Sequence, residues 1–217
     1  MMAGMPADQW GAAFASASVP AMTVYADVMV PPIVEPWGYV LLAGLAVEPG
    51  EAVLDVACGP GSVTRPAAAR SGPAGRVTGC DVSPAMLMVA AGLGQVTGGA
   101  TIDYRQAPAD CLPVPDEDFD VVSCQQGLQF FPDRLAALAE MRRALRPGGR
   151  IGIAVWKHIG QCRPFAILET AIKTVAGAQI VAATSAARGG CPTPRTCTRC
   201  WATPGSRTSR SLAMNFP

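Results

Sequence analysis

The nine residues Val53–Gly61, which read V-L-D-V-A-C-G-P-G, decide the fold. Four residues suited to a buried strand run into a turn with two glycines, and the segment S-V-T-R-P-A-A-A-R that follows is suited to a helix. A strand, a tight glycine turn and a helix start form a cradle for a nucleotide-like cofactor. A second apolar strand ends at Asp81, where a carboxylate can accept both hydroxyl protons of a ribose.

Strand-like and helix-like segments alternate along the chain around this cradle. The pattern predicts strands at 51–56, 76–81, 101–106, 119–124 and 150–156. Such alternation predicts an α/β fold with a doubly wound, mostly parallel sheet. Its ligand site lies beyond the carboxyl ends of the strands, where the strand order reverses.

Helices are predicted between the strands and ahead of the first one. Ser83 before Pro84 predicts a capped helix start, because serine at the cap and proline at the first helical position are both favoured there. The segment 133–145 is predicted to be an amphipathic helix with Leu135 and Met141 on its apolar face. Near the amino terminus, Pro31-Pro32 is predicted to end one helix before a second begins at Glu35.

Composition excludes several classes of protein. The chain has 217 residues and a net charge of +1, which argues against a dedicated nucleic-acid binder. The amino terminus has no basic region of the kind that begins a secretory signal. No continuous apolar run reaches the roughly 18 to 20 residues of a membrane span. We therefore expect a cytoplasmic protein with no membrane span.

The glycine pattern of the turn distinguishes between cofactors. A nicotinamide-binding turn reads G-x-G-x-x-G, whereas Gly59-Pro60-Gly61 is followed by Ser62-Val63-Thr64 with no third glycine. Asp55 also lies just before the turn, where its charge would repel a pyrophosphate. A cofactor with a cationic amino group fits better at this position, so a nicotinamide oxidoreductase is disfavoured.

Four motifs together resemble the class I S-adenosylmethionine-dependent methyltransferases, in particular their small-molecule and quinone-type branch. They are V-L-D-V-A-C-G-P-G, V-T-G-C-D-V-S-P-A-M-L, L-P-V-P-D-E-D-F-D-V-V and L-R-P-G-G-R. The resemblance covers residues 25–165 and implies a Rossmann-like methyltransferase fold. It also implies S-adenosylmethionine as the cofactor, and transfer of its methyl group to a small-molecule acceptor.

The resemblance implies cofactor contacts at ten positions, which are Asp55, Ala57, Gly59, Gly61, Asp81, Val82, Met86, Pro108, Ala109 and Gln125. Asp55 would fix the amino end of the cofactor, directly or through water. Gly59 and Gly61 would let the backbone approach its methionine part. Asp81 would bind the ribose hydroxyls, and the backbone carbonyl of Gln125 would face the methionine end.

The adenine side of the implied site departs from the family pattern. Met86 would pack on the adenine face, although it could also be a core residue. The backbone at Pro108 and Ala109 would meet the adenine edge. Pro108 stands where many family members carry an Asp that accepts from the adenine amino group, a contact that Asp110 could supply. Ala57 stands where glycine is commonest.

No catalytic residue is assigned, because a sulfonium cofactor carries its own leaving group and the enzyme can act by positioning the acceptor. His158, the single histidine, could be a base, but a solvated loop position is the simpler interpretation. A binding-only or inactive remnant of such an enzyme is the alternative function.

The chain changes character near its carboxyl end, where Pro, Thr, Ser, Arg and Cys dominate. We interpret 1–50 as a helical extension, 51–180 as the cofactor-binding domain and 181–217 as an irregular, disordered tail. The fold would then lack its last strands, which predicts self-association through an open sheet edge.

Three origins of this tail remain open. A frameshift or truncation is the leading one, because a shifted reading frame can restore acids, a helical stretch and a strand. A basic tail is the second. A zinc site at Cys191, Cys197 and Cys200 lacks a fourth ligand, so no metal site is assigned.

Overall fold

The computed structural model describes residues 12–156, and five parallel strands in that part of the chain form one sheet in the order β3-β2-β1-β4-β5. The strands are β1 (Ala52–Val56), β2 (Arg76–Asp81), β3 (Thr101–Gln106), β4 (Phe119–Gln125) and β5 (Leu145–Ala154). The helices are α1 (Val19–Leu45), α2 (Thr64–Ser71), α3 (Pro84–Gly92) and α4 (Arg134–Ala144). A short 3-10 helix lies at Leu128–Phe130. The predicted doubly wound parallel sheet is confirmed, while the predicted tail, the missing strands and the open edge lie outside the described residues.

The three central strands, β1, β2 and β4, are buried on both faces, as is typical of parallel sheets covered by helices. Val53 and Val121 face α1 and α2 in one hydrophobic core. Leu54 and Val122 alternate with them and face α4 and Met141 in the other. The two cores fix which side chains of each strand point to which helix layer.

The segment from α4 into β5 differs from the prediction in two details. Asp133 caps α4 by accepting from the backbone N–H groups of Leu135 and Ala136, and Met141 is buried. Leu135 was predicted on the apolar face, but it is 79% exposed because it lies in the first turn of the helix, beyond the edge of the core. β5 also starts at Leu145 rather than near Arg150, because a bulge opposite β4 accommodates the intervening residues.

The proline pair does not break the N-terminal helix, so that prediction is wrong. Residues 25–34 continue α1 as a π-helix with Pro31 and Pro32 inside it. The backbone N–H of Glu35 donates to the carbonyl of Val30. This five-residue spacing reaches across the two prolines, which have no N–H to offer.

As a result, α1 is a continuous helix of 27 residues. By length and composition alone it could cross a membrane, with an 18-residue window of mean hydropathy 1.4. The expectation of no membrane span rested on the length of continuous apolar runs; α1 passes a test of length and composition only because its sections join into one helix. However, Leu41, Leu42 and Leu45 at its carboxyl end belong to the sheet core, so this part of α1 is a core helix.

The same helix crosses the edge of the sheet at which the strands end. Its first section packs on α3, where Met22 contacts Ala85 and Met86 in a third hydrophobic cluster. Its last section packs on β4 and β5. The π-helical section between them therefore passes over the carboxyl ends of the central strands.

Candidate functional site

The candidate site lies at the carboxyl ends of β1, β2 and β4, which are neighbours in the sheet. Three predicted residues are brought to this edge: Asp55 near the end of β1, Asp81 at the end of β2 and Gln125 at the end of β4. The strand order reverses between β1 and β4, because β2 and β4 lie on opposite sides of β1. The residues thus meet at the switch point where α/β sheets bind ligands.

The turn after β1 has the backbone conformation of a cofactor cradle. Ala57, Gly59 and Gly61 have positive φ angles of 57°, 54° and 92°. A Cβ added to Gly59 would meet nothing within 4 Å, so this backbone faces open space, whereas one on Gly61 would lie 2.9 Å from the Tyr104 hydroxyl. Ala57 adopts an angle that favours glycine, so it carries backbone strain next to the site.

The carboxylate of Asp81 joins two loops of the site. Its Oδ2 accepts from the backbone N–H of Gly59, and its Oδ1 accepts from the backbone N–H of Ser83, both at 2.8 Å. Ser83 in turn caps α3, where its hydroxyl accepts from the N–H of Met86. Burial raises the pKa of Asp81, while these backbone hydrogen bonds oppose the increase. Asp81 therefore holds the glycine turn against the start of α3.

Asp55 lies beneath the turn and is only 1% exposed. Its two carboxylate oxygens accept from the hydroxyls of Thr64 at 2.7 Å and Ser123 at 2.8 Å. Burial raises the pKa of Asp55 to about 6; the two hydroxyl hydrogen bonds oppose this increase, and the charge of Asp81 adds to it. The contacts of Asp55 connect β1, α2 and β4, and its predicted contact with a cofactor stays a prediction.

The raised pKa of Asp55 predicts a pH-dependent cost to stability. Between its ordinary value of 3.8 and about 6, the folded chain keeps a proton that the unfolded chain releases. The free energy of unfolding therefore falls as pH rises through this window, by about 2 to 3 kcal/mol in total. Urea denaturation of the wild type and of Asp55→Asn measures this, since the variant lacks the titration. We expect wild-type stability relative to the variant to fall by that amount from about pH 4 to about pH 7. A difference that stays constant with pH would contradict the assignment.

The predicted adenine-side residues lie on the adjacent loops after β2 and β3. These loops are joined by the N–H of Ala107, which donates to the carbonyl of Asp81 at 3.0 Å. Val82 and Pro108 are exposed there, and Ala109 is half-buried. Met86 is buried against Met22 of α1, which fits the core role that was its alternative. Contacts of these residues with adenine stay predictions.

Gln125 uses its side chain to hold α1. Its Nε2 donates to the carbonyl of Val34 at 2.6 Å, and its Oε1 is buried without a hydrogen-bond partner. The next residue, Gln126, has a positive φ of 59° and also a buried, unpaired Oε1. Gln129 accepts from the backbone N–H of Trp156, which fixes the exit of β5. Gln125 and Gln126 thus leave two buried amide oxygens unpaired among the described residues, and the predicted contact of the Gln125 backbone carbonyl with the cofactor stays a prediction.

Sequence reasoning gave no role to an aromatic group that lies at the same edge. The rings of Phe14 and Tyr25 pack edge to face at 6.1 Å between centroids, and Phe14 packs on Phe130 at 5.9 Å. A usable signal was that Tyr25 is the one aromatic residue in the aliphatic stretch of residues 19–34.

The two carboxylates of the site suit a cofactor that carries a positive charge beside a ribose. Asp55 and Asp81 are both buried, both have raised pKa values, and no Arg or Lys among residues 12–156 is bonded to either. Open space lies in front of the Gly59 backbone. A bound cation would offset the cost of burying these two carboxylates, since opposite charge favours their ionised forms.

A metal site receives no support from the same part of the chain. Within residues 12–156, no group of three or more His, Cys, Asp or Glu side chains is placed to hold an ion. The four cysteines described there, Cys58, Cys80, Cys111 and Cys124, are free thiols. The cysteines considered for zinc, and His158, lie outside the described residues.

Comparison with known proteins finds a family that matches part of the chain. A family model for a methyltransferase domain matches residues 54–153. The ubiquinone/menaquinone biosynthesis C-methyltransferase UbiE of Hahella chejuensis is 43% identical over 108 residues, which are 48% of this chain and 43% of that protein. An uncharacterized protein of Mycobacterium tuberculosis is 37% identical over 124 residues, which are 57% of this chain and 44% of that protein.

A solved structure agrees with the architecture. A S-adenosylmethionine-dependent methyltransferase from Aquifex aeolicus aligns with a TM-score of 0.57 at 22% identity, over 66% of this chain and 75% of that chain. At 22% identity, the similarity between the two structures shows that they share a fold. The chain spans about half the length of the curated relatives it matches. Together the comparisons support a class I S-adenosylmethionine-dependent methyltransferase domain at residues 54–153, with S-adenosylmethionine as its cofactor.

Proposed function

We propose that this chain transfers a methyl group from S-adenosylmethionine to a small, fairly apolar acceptor. The observation that carries the proposal is the cradle itself, in which Asp81 ties the Gly59 turn to α3 beside the buried Asp55. The cradle sits at the switch point of the sheet, and its sequence matches the methyltransferase family model.

The chain's own residues account for binding and orientation. Asp81 is placed to accept from hydroxyls at the mouth of the site, since a carboxylate oxygen can accept more than one hydrogen bond. The open backbone at Gly59 admits a ligand closely. When bound, S-adenosylmethionine supplies both the methyl group and the leaving group, so the protein need only position the acceptor in line.

The small-molecule nature of the acceptor is supported by the surroundings of the site. Residues 1–64, which include α1 and the glycine turn, contain no Lys or Arg, so they offer no basic surface for a nucleic acid. The walls provided by α1 and the 3-10 helix are aromatic and aliphatic. The names of the UbiE relatives refer to quinone biosynthesis, which is consistent with an apolar acceptor.

A transfer assay tests this proposal. The full chain is incubated with methyl-tritiated S-adenosylmethionine and a panel of small acceptors that includes phenols, quinols and amines. We expect label in at least one organic-extractable acceptor, and we expect excess S-adenosylhomocysteine to suppress it. Cofactor binding without label in any acceptor would contradict methyl transfer and favour the binding-only alternative.

A further inference from the structure

The N-terminal helix is anchored on both sides of the cofactor cradle. On one side Met22 packs against Ala85 and Met86 of α3. On the other, the carbonyl of Val34 accepts from Nε2 of Gln125 at the end of β4. α3 follows β2, and Gln125 ends β4, so the two anchors lie on opposite sides of β1. The segment between them therefore passes over the carboxyl end of β1, where the site lies.

Tyr25 begins the π-helical section of this segment and is the one aromatic residue between Met22 and Val34. Its ring packs on the cluster around Met86 and, edge to face, on Phe14. Phe14 in turn contacts Phe130, which follows β4. The ring of Tyr25 is thus held between the α3 side and the β4 side of the site.

The packing of Tyr25 on Met86 places it at the start of α3, which Ser83 ties to the carboxylate of Asp81. Burial, and then the negative charge of Asp81, raise the pKa of Tyr25 to about 12.

We propose that Tyr25 is a positioning residue of the cofactor site, and that its ring covers the cradle next to Asp81 and retains the bound cofactor. The inference rests on the proposed function, because it assumes that S-adenosylmethionine occupies the cradle. It assigns to α1, which lies outside the residues matched by the family model, a direct part in cofactor binding.

Binding of S-adenosylhomocysteine to the full chain tests the role of Tyr25 without requiring an acceptor. We expect Tyr25→Ala to weaken binding about tenfold, mainly through faster dissociation, because a buried aromatic contact is lost. Tyr25→Phe should stay within about threefold of the wild type, because the ring is retained. Tyr39→Ala is the matched control: Tyr39 lies on the same helix but is 49% exposed, so we expect unchanged affinity.

Hydrogen exchange separates this role from a purely structural one. In the wild type, S-adenosylhomocysteine should slow amide exchange over residues 19–34, and in Tyr25→Ala it should not. If the wild type binds but Tyr25→Ala binds as tightly as Tyr39→Ala, the inference is overturned and the proposed function stands. Equal losses in Tyr25→Phe and Tyr25→Ala would also overturn the role of the ring. A wild type that fails to bind would count against the proposed function itself.

Discussion

Replacing Asp81 by Ala is expected to weaken binding of S-adenosylhomocysteine at least a hundredfold. The substitution removes the acceptor for the predicted ribose hydroxyls and leaves the N–H groups of Gly59 and Ser83 without their present partner. Hydrogen bonds to a charged group contribute about 1.5 to 3 kcal/mol each, and every 1.4 kcal/mol is a factor of ten in affinity. Losing the two predicted hydrogen bonds to the ribose hydroxyls should therefore lower the affinity by more than about a hundredfold. Isothermal calorimetry measures the change directly.

Two further variants separate the charge of Asp81 from its shape and from general effects. Asp81→Asn keeps the shape but offers only one acceptor oxygen, so we expect an intermediate loss. Asp103→Asn is the control, since Asp103 lies on the neighbouring strand, is largely exposed and pairs only with Arg105. Unchanged affinity in Asp81→Ala, with wild-type melting behaviour, would refute the ribose role.

Replacing Leu42 by Ala is expected to lower the free energy of unfolding by about 3 to 5 kcal/mol, as large-to-small changes in well-packed cores do. Leu42 lies near the carboxyl end of α1, is fully buried and belongs to the same core as Val53 and Val121 of the central strands. The variant removes methyl groups from the interface between α1 and the sheet. Urea denaturation followed by circular dichroism gives the free energy.

The matched control for this change is Leu135→Ala in α4, because Leu135 is 79% exposed. Its substitution should change stability by no more than about 0.5 kcal/mol. Leu42→Met, which conserves volume, should cost less than about 1.5 kcal/mol. If Leu42→Ala proved as mild as Leu135→Ala, α1 would not be part of the fold, and the closure of the site by this helix would fail with it.

The parts of the structure that could be predicted are those in which local sequence dictates local geometry. The glycine turn follows from Gly59 and Gly61, and both have positive φ angles. The start of α3 follows from Ser83 and Pro84, and Ser83 caps it as expected. Apolar runs of strand length between helices were enough to predict a parallel sheet, because crossover connections constrain the topology strongly.

The parts that were missed depend on contacts between distant segments. The continuity of α1 across its proline pair is supported by packing at both ends, which no local rule includes. The side chain of Gln125 bonds to a residue 91 positions earlier in the chain. The hydrogen bond of Asp55 with Ser123, 68 positions away, could not be foreseen, and it does not test the predicted contact of Asp55 with a cofactor. Tertiary contacts of this range decide which polar groups remain free for a ligand.

Asp55 also shows how the site departs from the most stable arrangement. A buried carboxylate with a pKa of about 6 costs stability at neutral pH, as does a non-glycine residue at a positive φ such as Ala57. Both features lie within three residues of each other on β1 and its turn. Local costs of this kind concentrate where a binding site must be held in one geometry.

The most direct test of the central claim is a calorimetric titration of the full chain with S-adenosylhomocysteine. The cradle of Gly59, Gly61 and Asp81 predicts saturable one-to-one binding, together with an increase in melting temperature that grows with ligand concentration. A parallel titration with NADH should give neither heat nor stabilisation. Binding of NADH in place of S-adenosylhomocysteine, or no response to either ligand, would contradict the account.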